Sequence, residues 1–441
     1  MRVFSLRAFL PLLFYVSAAI ALPAKVSSSS AAGEDHEELR YVIYLSRHGV
    51  RSPTGKPSQY NPYSAAPWPE WNVPPGYLTA HGYELMKLYG AYDRAKLSAQ
   101  GLLSSSGCAD TTRVTILADS DQRTHETGKA LAEGMFPGCN LDVHALPEGT
   151  NDPLFHRPQT SLTQADRAIA VAAISGRIGG DAANLSAAYR PQLDELDRVL
   201  AGCGKVPAQN VKRTSLFDVP ASLELGAGDH PATLKGSLST ASTLSENLLL
   251  EYTEGMKGND LAWGCMDEAA LRHVLQLHAA AADITERTLP VARMYASTLL
   301  DQIVKALEQN ASGKAIAGAP GKPTDRVLFL VGHDTNMATV AGLLNLTWIE
   351  DGRRDDTPPG SALLFELWRS TMDGKFSIRI EFTAQTLEQM REARPLTLSQ
   401  PPLTIPIFAP GCSQENLACG IEKFKETVYH AIDETLVSEK P

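Results

Sequence analysis

The sequence predicts an α/β fold: a layered sheet domain covered by helices, with a second, mostly helical domain inserted into it. Three observations carry that prediction. Strand-like apolar runs alternate with helical patterns over residues 41–146 and again after residue 326, as expected where helices cover a sheet. The stretch between, about residues 152–287, is rich in Ala and helix formers and offers no convincing strand. A chain of 441 residues is long enough for a large domain with an insertion. The expected boundaries are 39–151 and 288–441 for the α/β domain and 152–287 for the helical insert.

The elements follow in order. Arg2 and Arg7, the apolar residues 9–20 and the small-x-small run Ala19-Ile20-Ala21 form a secretory signal over residues 1–21. The protein is therefore expected to be exported, to a periplasm or outside the cell. Residues 22–38, mostly Ser, Ala and acidic, read as a disordered lead-in. No later apolar run is long enough to span a membrane, so the mature chain is expected to be soluble. Residues 41–46 form a strand, and residues 53–75 a Pro-rich loop carrying Tyr60, Tyr63, Trp68 and Trp71. Thr79 suits a helix N-cap, with Leu85, Leu88 and Tyr92 at helical spacing after it. A strand at 114–118, a helix from near Asp121 and a strand at 141–146 follow. In the insert, Leu193, Leu196, Val199 and Leu200 make one helical face, with Pro191 in the first turn. A long helix is expected near 285–309, then a strand at 327–331. Asp373-Gly374 marks a hairpin, and Ile421, Phe424, Val428 and Ile432 mark a C-terminal helix.

The formal net charge is -10, with no basic stripe or tail, which argues against nucleic-acid binding. Any site for an anion must then be locally basic, because long-range steering does not help it. Six cysteines in an exported chain predict three disulfides, and sequence alone leaves their connectivity open. No C-x-x-C pair points to a zinc ribbon. Three N-x-S/T sequons, at Asn184, Asn310 and Asn345, matter only in a eukaryotic host.

Two strand ends carry the chemistry. Arg47-His48-Gly49-Val50-Arg51 follows the first strand, and Gly332-His333-Asp334 follows the strand at 327–331. Cleaving a phosphate ester requires an in-line nucleophile, cations on the phosphoryl oxygens and a proton for the leaving group. His48 suits the nucleophile. The planar guanidiniums of Arg47 and Arg51 match phosphate oxygens. Asp334 suits the acid, provided that dryness or nearby anions raise its pKa. Arg123, just past the strand at 114–118, is placed to approach from a third strand end. Each residue also has a plainer use: His48 in a surface loop, Asp334 as N-cap of the next helix, Arg123 on a helix surface. A divalent metal on His48, His333 and Asp334 is a competing use. The arginines beside His48 repel a cation and no H-x-H or H-E-x-x-H cluster exists, so neither metal nor cofactor is expected.

These runs resemble the histidine acid phosphatases, a branch of the histidine phosphatase superfamily that includes bacterial phytases. R-H-G-V-R-S-P-T from Arg47, D-x-D-x-R-T from Asp119, G-H-D-T-N from Gly332, T-P-P-G from Thr357 and Q-T-L-E-Q-M-R from Gln385 appear in order. The resemblance implies a phosphoglycerate-mutase-like α/β domain with a helical second domain and the substrate between them. It implies a phosphohistidine on His48, phosphate held by Arg47, Arg51, Arg123 and His333, and Asp334 as proton donor. Thr54, Thr335 and Glu246 would line the substrate pocket, and no metal would be required. It pairs Cys108 with Cys139 and Cys412 with Cys419, leaving Cys203 for Cys265. Two positions depart from the bacterial phytase pattern: Gly55 where a lysine is common, and Thr243 where a pocket methionine is. The expected activity is hydrolysis of a small-molecule phosphate monoester, phytate first, by a monomer. The alternatives are a broad acid phosphatase or glucose-1-phosphatase, a non-catalytic phosphate-ester binding protein, and a mutase of the wider superfamily.

Overall fold

The structure is a computed structural model that describes residues 36–156, 162–205 and 213–437. The signal segment and the lead-in up to residue 35 lie outside the described residues. In chain order the described strands are β1 (Glu37–Arg47), β2 (Val114–Ala118), β3 (Val143–His144), β4 (Ser222–Leu225), β5 (Ala232–Lys235) and β6 (Val327–Gly332). They continue with β7 (Ile349–Glu350), β8 (Arg353–Arg354), β9 (Ala362–Ser370), β10 (Phe376–Ala384), β11 (Leu403–Ile407) and β12 (Cys419–Gly420).

One mixed sheet runs β11-β10-β9-β1-β6-β2-β3, with β12 paired to β10. β1, β6, β2 and β3 are parallel, and β9, β10 and β11 extend the sheet antiparallel. Both faces are covered, which is why β1 and β6 read as continuous apolar runs. Tyr41, Ile43 and Leu45 pack with Leu328 and Leu330 beneath the helices Leu289–Ser312, Asp334–Leu344 and Ile421–Ala431. Val42 and Tyr44 point the other way. They pack with Phe329, Val331 and Ile116 beneath the helices Ala80–Ala99 and Gln122–Met135. Thr79 caps the first of these by accepting the Gly82 N–H, and the β9–β10 hairpin turns through Gly374 at φ +71°.

Residues between β3 and β6 add no strand to this sheet among the described residues. Their helices Gln164–Arg177, Arg190–Leu200, Ser237–Thr253 and Glu268–Thr285 bury a separate apolar cluster. Tyr60 and Trp68 of the Pro-rich loop join it. All three disulfides implied by the resemblance are present. No described helix is long and apolar enough to cross a membrane.

Four expectations are corrected. The β4–β5 hairpin lies in the stretch read as strandless; its strands are four residues each and only Leu234 is buried, so apolar alternation barely shows. β1 begins at Glu37, inside the expected lead-in, because Glu37 and Glu38 pair with Ser370 and Arg369 of β9 and form ion pairs with Arg379 and Arg369. The strand expected at 141–146 contracts to β3. The long helix expected near 285–309 is present but starts later, at Leu289, and runs to Ser312. The preceding helix ends at Thr285, and Pro290 sits in the first turn of the long one, where the ring cannot accept a helix continuing from before. Glu286 falls in the break.

Candidate active site

His48 follows β1 and His333 follows β6. These strands are adjacent and parallel, with Arg47 in register with Gly332, so both histidines leave the sheet at its carboxyl edge, where open α/β sheets bind ligands. β2, on the far side of β6, delivers Asp119 and, in the helix that follows, Arg123. The three strand ends meet at a cavity of about 470 Å³ lined by His48, Arg51, Arg123, His333, Asp334 and Thr335. A Cβ on Gly332 would lie 2.5 Å from Asn336 Oδ1. Glycine there lets Asn336 accept the His333 N–H at 2.9 Å and donate to the Phe155 carbonyl at 2.7 Å, fixing the turn that carries His333 and Asp334.

His48 is 2% exposed. Its Nδ1 lies 2.8 Å from the Gly49 carbonyl oxygen, which only accepts, so Nδ1 carries the hydrogen and Nε2 keeps its lone pair. Burial, and then the charges of Arg123, Arg51 and Arg47, hold its pKa well below the usual histidine value. The imidazole is therefore neutral, and nucleophilic, even in acid.

Arg47 is fully buried. It donates to the Thr357 carbonyl at 2.6 Å and to Glu246 Oε1, and lies 3.1 Å from Asp334 Oδ2. Arg51 donates to the same Glu246 oxygen at 3.0 Å. Arg123 sits 2.5 Å from Asp121 Oδ2 and 3.4 Å from His333 Nδ1. The Nε atoms of all three arginines are buried without a hydrogen-bond partner among the described residues, donor capacity that a bound oxyanion satisfies.

His333 Nε2 donates to Asp119 Oδ2 at 2.5 Å, and His156 Nε2 donates to the same oxygen at 2.7 Å. Burial pushes the Asp119 carboxyl up, but the two imidazole hydrogen bonds hold it well below the usual range. Burial lowers the His333 pKa against the pull of Asp119.

The raised pKa expected for Asp334 is not found. Burial pushes the carboxyl up, yet Arg47, His278 and Arg51 outweigh it and hold Asp334 below the ordinary aspartate value. The plainer reading also fails, since His333 occupies the N-cap and Asp334 is the first helical residue. Glu286, on the cavity wall, moves the opposite way: burial first, and Asp334 next, push it up to about 8.

The remaining expected residues divide. Thr335 lines the cavity and its Oγ1 donates to Glu286 Oε1 at 3.4 Å. Glu246 does arrive from the helix Ser237–Thr253, but its carboxylate sits on Arg47 and Arg51. Thr54 is exposed and off the cavity wall; a Cβ on Gly76 would touch both its Cγ2, at 3.7 Å, and Arg123 Nη1, at 3.6 Å. Sequence reasoning gave no role to Asp119, His156, His278 or Glu286. Only Asp119 left a signal, as the residue directly after an apolar strand. Among the described residues, two sets of donors lie close enough to hold a metal: Asp119, His156 and His333, and Glu246, His278 and Asp334. Imidazole N–H groups already fill the first, and the Arg47 guanidinium fills the second.

Comparison with known proteins shows the family. The family model of the Histidine phosphatase superfamily (branch 2) matches residues 38–383. The phytase AppA of Escherichia coli (strain K12) is 36% identical over 421 residues, 93% of this chain and 96% of that protein. A glucose-1-phosphatase of Providencia rettgeri is 26% identical over 95% of this chain and 98% of its own. The Hafnia alvei phytase in complex with myo-inositol hexakis sulphate superimposes with a TM-score of 0.82 at 33% identity, covering 92% of this chain and 99% of that one. The chain therefore belongs to branch 2 of the histidine phosphatase superfamily and is a phosphoric monoester hydrolase of that family.

Proposed function

We propose that this protein is an exported, metal-independent acid phosphatase that hydrolyses phytate through a phosphohistidine intermediate. The observation that carries the reading is a neutral, buried His48 with a free Nε2, set among three arginines whose Nε donors lack partners. The phytase relatives supply the substrate class. Residues 152–287 serve in this reading as the inserted helical domain, supported by their adding no strand to the main sheet among the described residues. The reading takes the protein as a monomer.

Arg47, Arg51, Arg123 and His333 hold the phosphoryl oxygens, and Glu246 gives up its place on Arg47 and Arg51 to the incoming anion. His48 Nε2 attacks phosphorus in line, the ester P–O bond breaks, and Asp334 transfers its proton to the leaving oxygen. The Asp334 carboxylate then takes a proton from water, the resulting hydroxide attacks the phosphohistidine, and phosphate leaves with His48 restored. The arginines hold Asp334 ionised before substrate arrives. A bound phosphate neutralises them and adds its own negative charge, which drives the Asp334 pKa upward and loads the proton.

The test is phosphate release at about pH 5 from phytate and from an aryl phosphate, for wild type, His48→Ala and Asp334→Asn. His48→Ala is expected to be inactive on both. Asp334→Asn should lose phytate turnover by about 10²–10⁴-fold and spare part of the aryl reaction, whose leaving group needs little protonation. EDTA should leave the wild-type rate intact. Activity in His48→Ala, or loss of activity with EDTA, would sink the mechanism. A second reading, hydrolysis of less charged esters such as glucose 1-phosphate, is favoured by the Asp229 carboxylate on the cavity wall and by the lysine missing at Gly55. Turnover of glucose 1-phosphate far above phytate would select it.

A further inference from the structure

Glu286 lines the cavity that contains His48, Arg51 and Arg123, and the mechanism above makes no use of it. It sits where the helix Glu268–Thr285 has ended and the helix Leu289–Ser312 has not begun. Oε1 accepts from Thr335 Oγ1 at 3.4 Å, while Oε2 is buried with no partner among the described residues. The charged groups that act on it most are Asp334 from the helix after β6, Arg47 from the end of β1, and Glu246 from the helix Ser237–Thr253. Two of these three are acids, and Arg47 is already shared by both of them; Arg51, Arg123 and His333 line the same cavity. A buried carboxyl so placed keeps its proton, up to about pH 8, because its charge would be neither solvated nor paired. A carboxylic acid kept neutral donates a hydrogen bond to an anion, whereas its carboxylate repels one.

We propose that Glu286 is a substrate-binding residue whose protonated carboxyl donates a hydrogen bond to an oxygen of the bound phosphoryl group. Ionised Glu286 disfavours the same anion, so phosphate affinity is gated by this proton independently of the one on Asp334. The inference rests on the cavity being the phosphate site.

The test measures the Kd of inorganic phosphate by calorimetry at pH 5, 8 and 9 for wild type, Glu286→Gln and Glu286→Ala. Product binding requires no turnover, so this result is separate from the hydrolase assays. Glutamine keeps the shape and an N–H donor at every pH. Phosphate's own titration cancels in the ratio of wild-type to Glu286→Gln Kd. Relative to pH 5, that ratio should grow about twofold at pH 8 and about tenfold at pH 9, as the protonated fraction falls. Glu286→Ala, which has no donor, should bind phosphate about tenfold more weakly than wild type at pH 5. A ratio that stays flat from pH 5 to 9, or Glu286→Ala binding as tightly as wild type at pH 5, would overturn the proposal. Failure of the wild type to bind phosphate at any pH would overturn it together with the assignment of the site.

Discussion

One oxygen, Oδ2 of Asp119, takes hydrogen bonds from both His333 and His156, and it does so from a fully buried carboxylate. It orients His333 and, in the proposed mechanism, stabilises positive charge on that ring when phosphate is bound. Asp119→Asn keeps the size but removes the charge and turns one acceptor into a donor. We expect kcat/KM for an aryl phosphate to fall about 10²-fold, with a smaller change in thermal stability. Steady-state kinetics and a melting curve on the same preparation would check this, and a change below twofold would show that His333 needs no anchor. The other residues divide by how sequence neighbours and spatial neighbours share the work. His48, Arg47, Arg51, His333 and Asp334 were legible because each lies within a few residues of a strand end. His156 and Glu286 were not, since each reaches the cavity from an irregular segment whose path is set by packing. The charge state of Asp334 was misread for a related reason. Its controlling partner, Arg47, is remote in sequence and adjacent only across the β1–β6 pairing.

Helix placement depends on glycines that let backbones touch. A Cβ on Gly82 would fall 2.1 Å from the Val50 carbonyl oxygen, one on Gly90 2.3 Å from that of Leu131, and one on Gly134 1.9 Å from that of Lys87. The helices Ala80–Ala99 and Gln122–Met135 thus meet main chain to main chain, and the first also braces the loop after His48. Gly134→Ala should push the two helices apart at a cost of about 1–3 kcal/mol. Gly176→Ala, with nothing within 4 Å of the added carbon, should be neutral or stabilise by up to ~1 kcal/mol. Chemical denaturation of the pair checks both signs, and equal effects would refute the packing argument. Elements with a strong local signature were readable: the two-sided apolar run of β1, the Thr79 cap, the Asp373-Gly374 turn. The start of the long helix at Leu289 was not, because only Pro290 marks the break after Thr285. The β4–β5 hairpin was hidden for the opposite reason, since strands that lie on the surface are not required to alternate.

Across the whole molecule, the buried carboxyls make acid favour the fold. Burial raises Asp93, Glu251 and Glu350 to about 8 and Glu366 to about 7, and each is at most 3% exposed. In the unfolded chain the same groups release their protons near pH 4. The native state therefore binds more protons than the unfolded state over the interval between, and stability falls with rising pH there. This contribution is complete below the unfolded pKa and is lost as pH climbs through about 7 to 8. Asp119 and Asp197 act in the other direction. Burial opposes their ionisation, but hydrogen bonds from His156 and His333, and from Arg213, hold both below the usual range, so their contribution is lost only as pH drops through those lowered values. Stability should peak at mildly acidic pH. We expect Tm to decline by roughly 5–10 °C from pH 5 to pH 8, with a shallower decline in Asp93→Asn, whose buried group no longer titrates. Asp93 is the better probe because it sits on the buried face of the helix Ala80–Ala99, near Tyr44 of β1 and off the cavity wall, so the substitution tests the fold without touching the phosphate site. A Tm that rises from pH 5 to 8 would mean that these carboxyls ionise in the native state and are accommodated by local water or movement. Parallel pH curves for wild type and Asp93→Asn would remove Asp93 alone from the account.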